Sequence, residues 1–235
     1  MKRLLFALAA GVAMVGAAAT LPAAPPRKPA AAARDWSGTV AATPEGGFRM
    51  GNPAARARLI EYGSFTCGHC ARFSQVGMPG LLPRVKSGRL SFEYRPFVRD
   101  PADIAAALLA RCAAPARFFA LSHRYFASQD QWLGRLQALP STQTDAIAAL
   151  PEGQRFGRLA AAAGLDTIAA QAGIAPARAR QCLADPAGLN KLIGMTEIAL
   201  KTHKLNGTPT FILNGVNLNV TDWASLEPLL ARPGG

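Results

Sequence analysis

The sequence predicts an α/β fold in which a helical domain is inserted between the two halves of a sheet-containing domain. Three observations predict it. Strand-like apolar runs occur only toward the two ends of the domain, at residues 58–65, 90–98 and 210–220. Between the first two the apolar period changes from strand-like to helical, which is the pattern of a βαβ unit with parallel strands. Between the second and third, residues 101–188 carry helical patterns alone.

Element by element, the chain divides as follows. Met1-Lys2-Arg3 is basic, residues 4–15 are apolar, and Ala17-Ala18-Ala19 offers a cleavage site. Residues 1–19 therefore read as a cleavable export signal. The rival reading is an uncleaved anchor, against which Pro22 and the weakly apolar alanines argue. Residues 20–45 follow as a flexible linker and edge segment. The stretch up to 34 is rich in alanine, proline and basic side chains with nothing to pack against, and residues 35–52 suggest an edge strand or hairpin.

Residues 46–100 form the first half of the main domain. Arg58 to Phe65 reads as a buried strand. Phe73, Val76, Leu81, Leu82 and Val85 fit a helix kinked at Pro79 and ended by Gly88. Leu90 to Val98 alternates as a second strand. Asp100-Pro101 opens the helical block, with Asp100 as N-cap and Pro101 in the first turn. Residues 189–235 return to the sheet: Thr210 to Leu213, an Asn214-Gly215 hairpin turn, then Val216 to Val220, closed by a short helix from Asp222 to Leu230.

Composition bounds the function. Half of the 235 residues are apolar, enough for a substantial core. The formal charge is +12, but the arginines stand singly, without the grouping and aromatic interleaving of a nucleic-acid binder. Four cysteines remain beyond the signal: Cys67, Cys70, Cys112 and Cys182. An even number in an exported chain suggests two disulfides, and the closeness of Cys67 and Cys70 leaves Cys112 to pair with Cys182. Two buried free thiols are the alternative for that second pair.

The chemistry sits in Cys67-Gly68-His69-Cys70, at a strand-to-helix turn. There the free backbone N–H groups and the helix dipole stabilise a thiolate on Cys67, and His69 adds a donor and a charge when protonated. Cys70, one turn into the helix, is expected to be the more buried, resolving thiol. A zinc or Cu(I) site would need further close ligands, which Cys112 and Cys182 do not supply by spacing. A non-enzymatic carrier of a soft metal on these two thiols is the rival from another functional class. No cofactor beyond the Cys67–Cys70 disulfide, and no metal, is expected.

The segment Glu61-Tyr62-Gly63-Ser64-Phe65-Thr66-Cys67-Gly68-His69-Cys70 resembles the active-site segment of DsbA-like thiol:disulfide oxidoreductases. Gly207-Thr208-Pro209-Thr210-Phe211 resembles their cis-proline loop. The resemblance implies a thioredoxin fold with an inserted helical domain. By position it makes Cys67 the exposed nucleophile, Cys70 its partner, and Pro209 a cis-proline beside them that leaves Thr208 backbone groups free to pair with substrate. Glu61 becomes a buried acid that moves protons near Cys70. Similar second cysteine pairs in the family imply a structural disulfide between Cys112 and Cys182. The rival readings are a trans Pro209, a solvated Glu61 and a merely solvent-facing His69. The family also implies a periplasmic enzyme that oxidises reduced exported proteins, works as a monomer and is itself reoxidised by a membrane partner of the DsbB type. Gly68-His69 departs from the family's commonest dipeptide and resembles that of protein disulfide isomerases, so isomerisation or reduction stays open.

Overall fold

The computed structural model describes residues 34–231. The expected signal at 1–19, and the linker up to residue 33, lie outside them. A six-stranded sheet runs in the order β1-β2-β4-β3-β5-β6. Its strands are β1 (Val40–Ala42), β2 (Phe48–Gly51), β3 (Ala57–Gly63), β4 (Leu90–Pro96), β5 (Thr210–Leu213) and β6 (Val216–Asn217). β3 and β4 are parallel, and every other pairing is antiparallel. The parallel pair is the βαβ unit read from the change of period.

Between β3 and β4 lie α1 (Gly68–Arg72), a π-helical turn (Phe73–Gly77) and α2 (Met78–Lys86). The expected kink at Pro79 is instead this π turn, in which Met78 N–H reaches back to Phe73 O. Pro79 has no N–H to donate, so a wider turn just before it repairs the ladder. Gly77 is required there, because a Cβ would lie 2.3 Å from the Phe73 ring.

From β4 the chain enters α3 (Pro101–Cys112), then α4 (Phe118–Ala127), α5 (Gln129–Gln137), α6 (Ser141–Ala148), α7 (Glu152–Ala163), α8 (Leu165–Gln171), α9 (Pro176–Leu183) and α10 (Pro186–Thr202). Asp100 caps α3 by accepting from Asp103 N–H at 2.8 Å, with Pro101 in its first turn. The helical run extends past residue 188, because α10 continues unbroken to Thr202 and packs against the sheet at β4. Asn214 and Gly215 both take positive φ and turn β5 into β6, after which α11 (Trp223–Leu230) starts on an Asp222 cap.

Three strand expectations need correction. The first strand ends at Gly63, so Ser64 to Phe65 belong to the catalytic-side turn. The last is only Val216–Asn217, because beyond it the backbone leaves the edge and Asn219 takes positive φ. The 90–98 run stops at Pro96, and its alternation does not separate core from solvent, since every β4 residue is buried. Phe92 and Tyr94 pack with Phe73, Phe118, Phe119 and Phe126. On the other face, the buried Glu93 and Arg95 pair at 2.7 Å, with Thr43 and Tyr62 completing their hydrogen bonds. Alternation persists in chemistry because the polar face is paired internally rather than solvated.

Cys112, at the end of α3, and Cys182, in α9, are disulfide-bonded. Closing a loop of 70 residues restricts the unfolded chain by about 4 kcal/mol. Replacing both cysteines with alanine is therefore expected to lower unfolding free energy by about that amount, read from urea denaturation against the parent protein.

Candidate active site

Cys67 and Cys70 are free thiols. β3 delivers the chain to the turn, and Cys67 takes the N-cap position of α1 in extended conformation. The turn is held by side chains from the helical insertion. Asp103 accepts from Phe65 N–H at 2.7 Å and from Arg99 N–H at 3.1 Å. Asp100 accepts from the Thr66 hydroxyl at 2.6 Å. Gln129 donates to the carbonyls of Phe65 and Cys67.

The two sulfurs are electrostatically unlike. The Cys67 thiol is held down to about 5, first by a hydrogen bond from the Cys70 thiol, and further by Thr208 and the backbone N–H groups of Cys70 and His69, all against a burial effect that raises it. Cys70 is fully buried, and that burial, together with its bond to Cys67, pushes its thiol well above the ordinary value. One sulfur is thus ready to carry charge and the other resists it.

Glu61 is buried, and burial raises its carboxyl well above the ordinary range, helped by the Cys67 charge. It in turn acts on Cys70. Its Oε1, the Tyr94 hydroxyl and the Ser122 hydroxyl make no hydrogen bond among the described residues, and all three residues line a cleft of about 450 Å³ that also includes Ser74 and His123. Asp103 is also displaced upward, to about 7, because burial outweighs its hydrogen bonds.

The Thr208–Pro209 bond is cis, and the loop lies directly over the nucleophile. Three expectations change here. Cys67 is not openly exposed but only 5 % accessible, because the loop covers it. The Thr208 backbone is not wholly free, since its carbonyl accepts from Cys67 Sγ at 3.2 Å. The Thr208 hydroxyl has no partner in this dithiol geometry and faces the sulfur, so it becomes a donor once the thiolate forms. His69 helps Cys67 through its backbone N–H; its exposed imidazole instead acts on Asp222, the cap of α11. Among the described residues no group of three or more His, Cys, Asp and Glu is placed to hold a metal ion.

A family model described as thioredoxin matches residues 43–231. The chain belongs to the thioredoxin family. It is similar to a Rickettsia typhi protein provisionally named a protein-disulfide oxidoreductase, with 28% identity over 169 residues, 71% of this chain and 54% of that one. It thus spans about half the length of the curated relatives it matches. It is also similar to the crystal structure of protein-disulfide isomerase from Novosphingobium aromaticivorans, with a TM-score of 0.72, 34% identity, and coverage of 77% of this chain and 94% of that chain. Wolbachia pipientis alpha-DsbA1 shares the fold, with a TM-score of 0.62 and 21% identity over 77% of this chain and 87% of that chain.

Sequence reasoning on this thioredoxin-family chain missed Asp103 and Gln129. Asp103 carried a faint sign, being three residues after the predicted cap Asp100. Gln129 carried none, because only the folded insertion brings it to the turn.

Proposed function

We propose that the chain is a periplasmic thiol:disulfide oxidoreductase that passes a Cys67–Cys70 disulfide to newly exported proteins. The observation that carries this reading is the asymmetry of the sulfurs, Cys67 near 5 and Cys70 well above an ordinary thiol. A substrate thiolate attacks Cys67 Sγ, the Cys67–Cys70 bond breaks, and Cys70 leaves with the electron pair and takes up a proton. A second substrate thiolate then attacks the substrate sulfur of the mixed disulfide and expels Cys67 as thiolate. The substrate loses two electrons and the enzyme gains them. The low pKa of Cys67 makes it a good leaving group in the second step, and stabilising the reduced form makes the disulfide a stronger oxidant.

Glu61 fits the role of proton donor to the departing Cys70, since burial shifts its carboxyl upward toward the protonated form and it opens onto the cleft. The signal-like residues 1–19 support export. Reoxidation falls to a membrane quinone-linked partner of the DsbB type, and a monomer suffices for the chemistry. The second reading is an isomerase. Gly68-His69 and the 34% identity to a structure described as protein-disulfide isomerase favour it.

Equilibration of the Cys67–Cys70 pair against glutathione tests the proposal. An oxidase is expected to lie toward about −120 mV, and a value near thioredoxin's, about −270 mV, overturns the oxidase reading. Parallel refolding of a reduced and of a disulfide-scrambled substrate separates oxidase from isomerase. Faster recovery of the scrambled protein alone selects the isomerase.

A further inference from the structure

We propose that Gln129 is a positioning residue for the reacting sulfur, tying the helical insertion to the turn that presents Cys67. The inference deepens the reading above and rests on Cys67 being the nucleophile.

Gln129 opens α5 and is 4 % exposed, an unusual place for an uncharged polar side chain without a task. Its Nε2 donates to Phe65 O at 2.7 Å and to Cys67 O at 3.0 Å. Both protons of the amide are thereby used. Two carbonyl acceptors also dictate which end of the amide faces the turn, because an amide oxygen there would meet only other acceptors. Oε1 accordingly lies over Gly68, 3.9 Å from where a Cβ would stand. The peptide groups at Phe65 are held on both sides from the insertion, the N–H by Asp103 of α3 and the carbonyl by Gln129 of α5.

The consequence falls on Cys67. The N–H groups of His69 and Cys70 that face its sulfur are carried by the peptides following it, and the orientation of those peptides depends on where the Cys67 carbonyl points. That carbonyl also accepts from Ala71 N–H at 3.1 Å, the first helical bond of α1. Gln129 supplies its second donor and sets its direction. Without it, two buried carbonyls lose a partner and the donors around Sγ lose alignment.

The test is thiolate titration by ultraviolet absorbance together with the glutathione equilibrium, on the full chain. Gln129→Met keeps length and removes both donors. Its Cys67 midpoint is expected to rise by about one unit, and the glutathione equilibrium to shift about tenfold toward the enzyme disulfide, equivalent to about 30 mV. Gln129→Asn keeps the amide on a shorter stem and is expected to fall between parent and Met; it also carries the test if Met does not fold. Tyr125→Phe is the control, since it removes a bond within the insertion, Tyr125 OH to Leu165 O, and keeps the ring that packs edge-on against Phe65 of the turn. It is expected to lower the melting temperature and leave the Cys67 midpoint in place. An unchanged midpoint in both Gln129 variants overturns the inference while leaving the oxidoreductase reading intact. Equal shifts in Gln129→Met and Tyr125→Phe overturn it too, by showing general loosening. A parent midpoint at the ordinary thiol value overturns the functional reading and this inference with it.

Discussion

Cys67→Ser is expected to lower disulfide exchange by more than about a thousandfold, whereas Cys70→Ser, which cannot form the enzyme disulfide, is expected to keep the reverse-direction attack of the Cys67 thiolate on a substrate disulfide and to stop at the mixed disulfide. The difference follows from the electrostatics of the pair. Hydrogen bonds from Cys70, from two backbone N–H groups and, once it is charged, from the Thr208 hydroxyl favour the Cys67 thiolate, which attacks a substrate disulfide and expels the other substrate sulfur as thiolate. The Cys70 sulfur is fully buried and resists ionisation, so it cannot take over as the entry point. With Cys70 gone, the mixed disulfide through Cys67 has no internal thiol to resolve it. It should accumulate as a higher band on a non-reducing gel that collapses with reductant. Retained turnover in Cys67→Ser, or trapped adducts in Cys67→Ser rather than in Cys70→Ser, reverses the roles assigned to the two sulfurs.

The parts of this architecture that were legible in the sequence are those governed by local rules. The change of period from residues 58–65 to the following helix, the Asp100-Pro101 start and the Asn214-Gly215 turn each depend on a few neighbouring residues, and each is observed. The Cys-x-x-Cys is local in the same sense. What escaped depends on contacts across long stretches of chain. The burial of Glu93 and Arg95 needs Thr43, Tyr62 and the α10 side of the sheet, none of which their own segment announces. The covering of Cys67 needs a loop 141 residues away. Gln129 reaches the turn from the start of a helix whose sequence is otherwise ordinary. The π turn is an intermediate case. Pro79 marked a disturbance, but the packing of Phe73 over Gly77 decided its form.

The dithiol protein is expected to gain stability over the disulfide protein as pH rises from about 5 to about 9. Cys67 in the folded dithiol titrates near 5, and an ordinary thiol titrates near 9.0. Between those values the unfolded chain binds a proton that the folded chain has released, so unfolding becomes harder as pH rises. Below about 5 both states are protonated and the contribution vanishes. The full difference of about four units corresponds to about 5 kcal/mol at most. Asp103 acts with the opposite sign. Its folded value near 7 lies above its ordinary 3.8, so the folded chain holds a proton the unfolded one has lost, and stability falls as pH rises across that window. Glu61 is raised as well and adds to the same trend. Both carboxyls are present in either redox state, so their common effect cancels in the comparison. What survives is the Cys67 contribution, the part of the Glu61 shift that the Cys67 charge causes, and the raised Cys70 thiol, which acts with the opposite sign but only as pH approaches and passes the ordinary thiol value of 9.0. Urea denaturation of the two redox forms across this range, with Cys112 and Cys182 both replaced by alanine so that only one disulfide changes, isolates it. A difference that stays flat with pH means that the folded protein does nothing special for the charge on Cys67. The sulfur asymmetry on which exchange depends would then have to come from access alone.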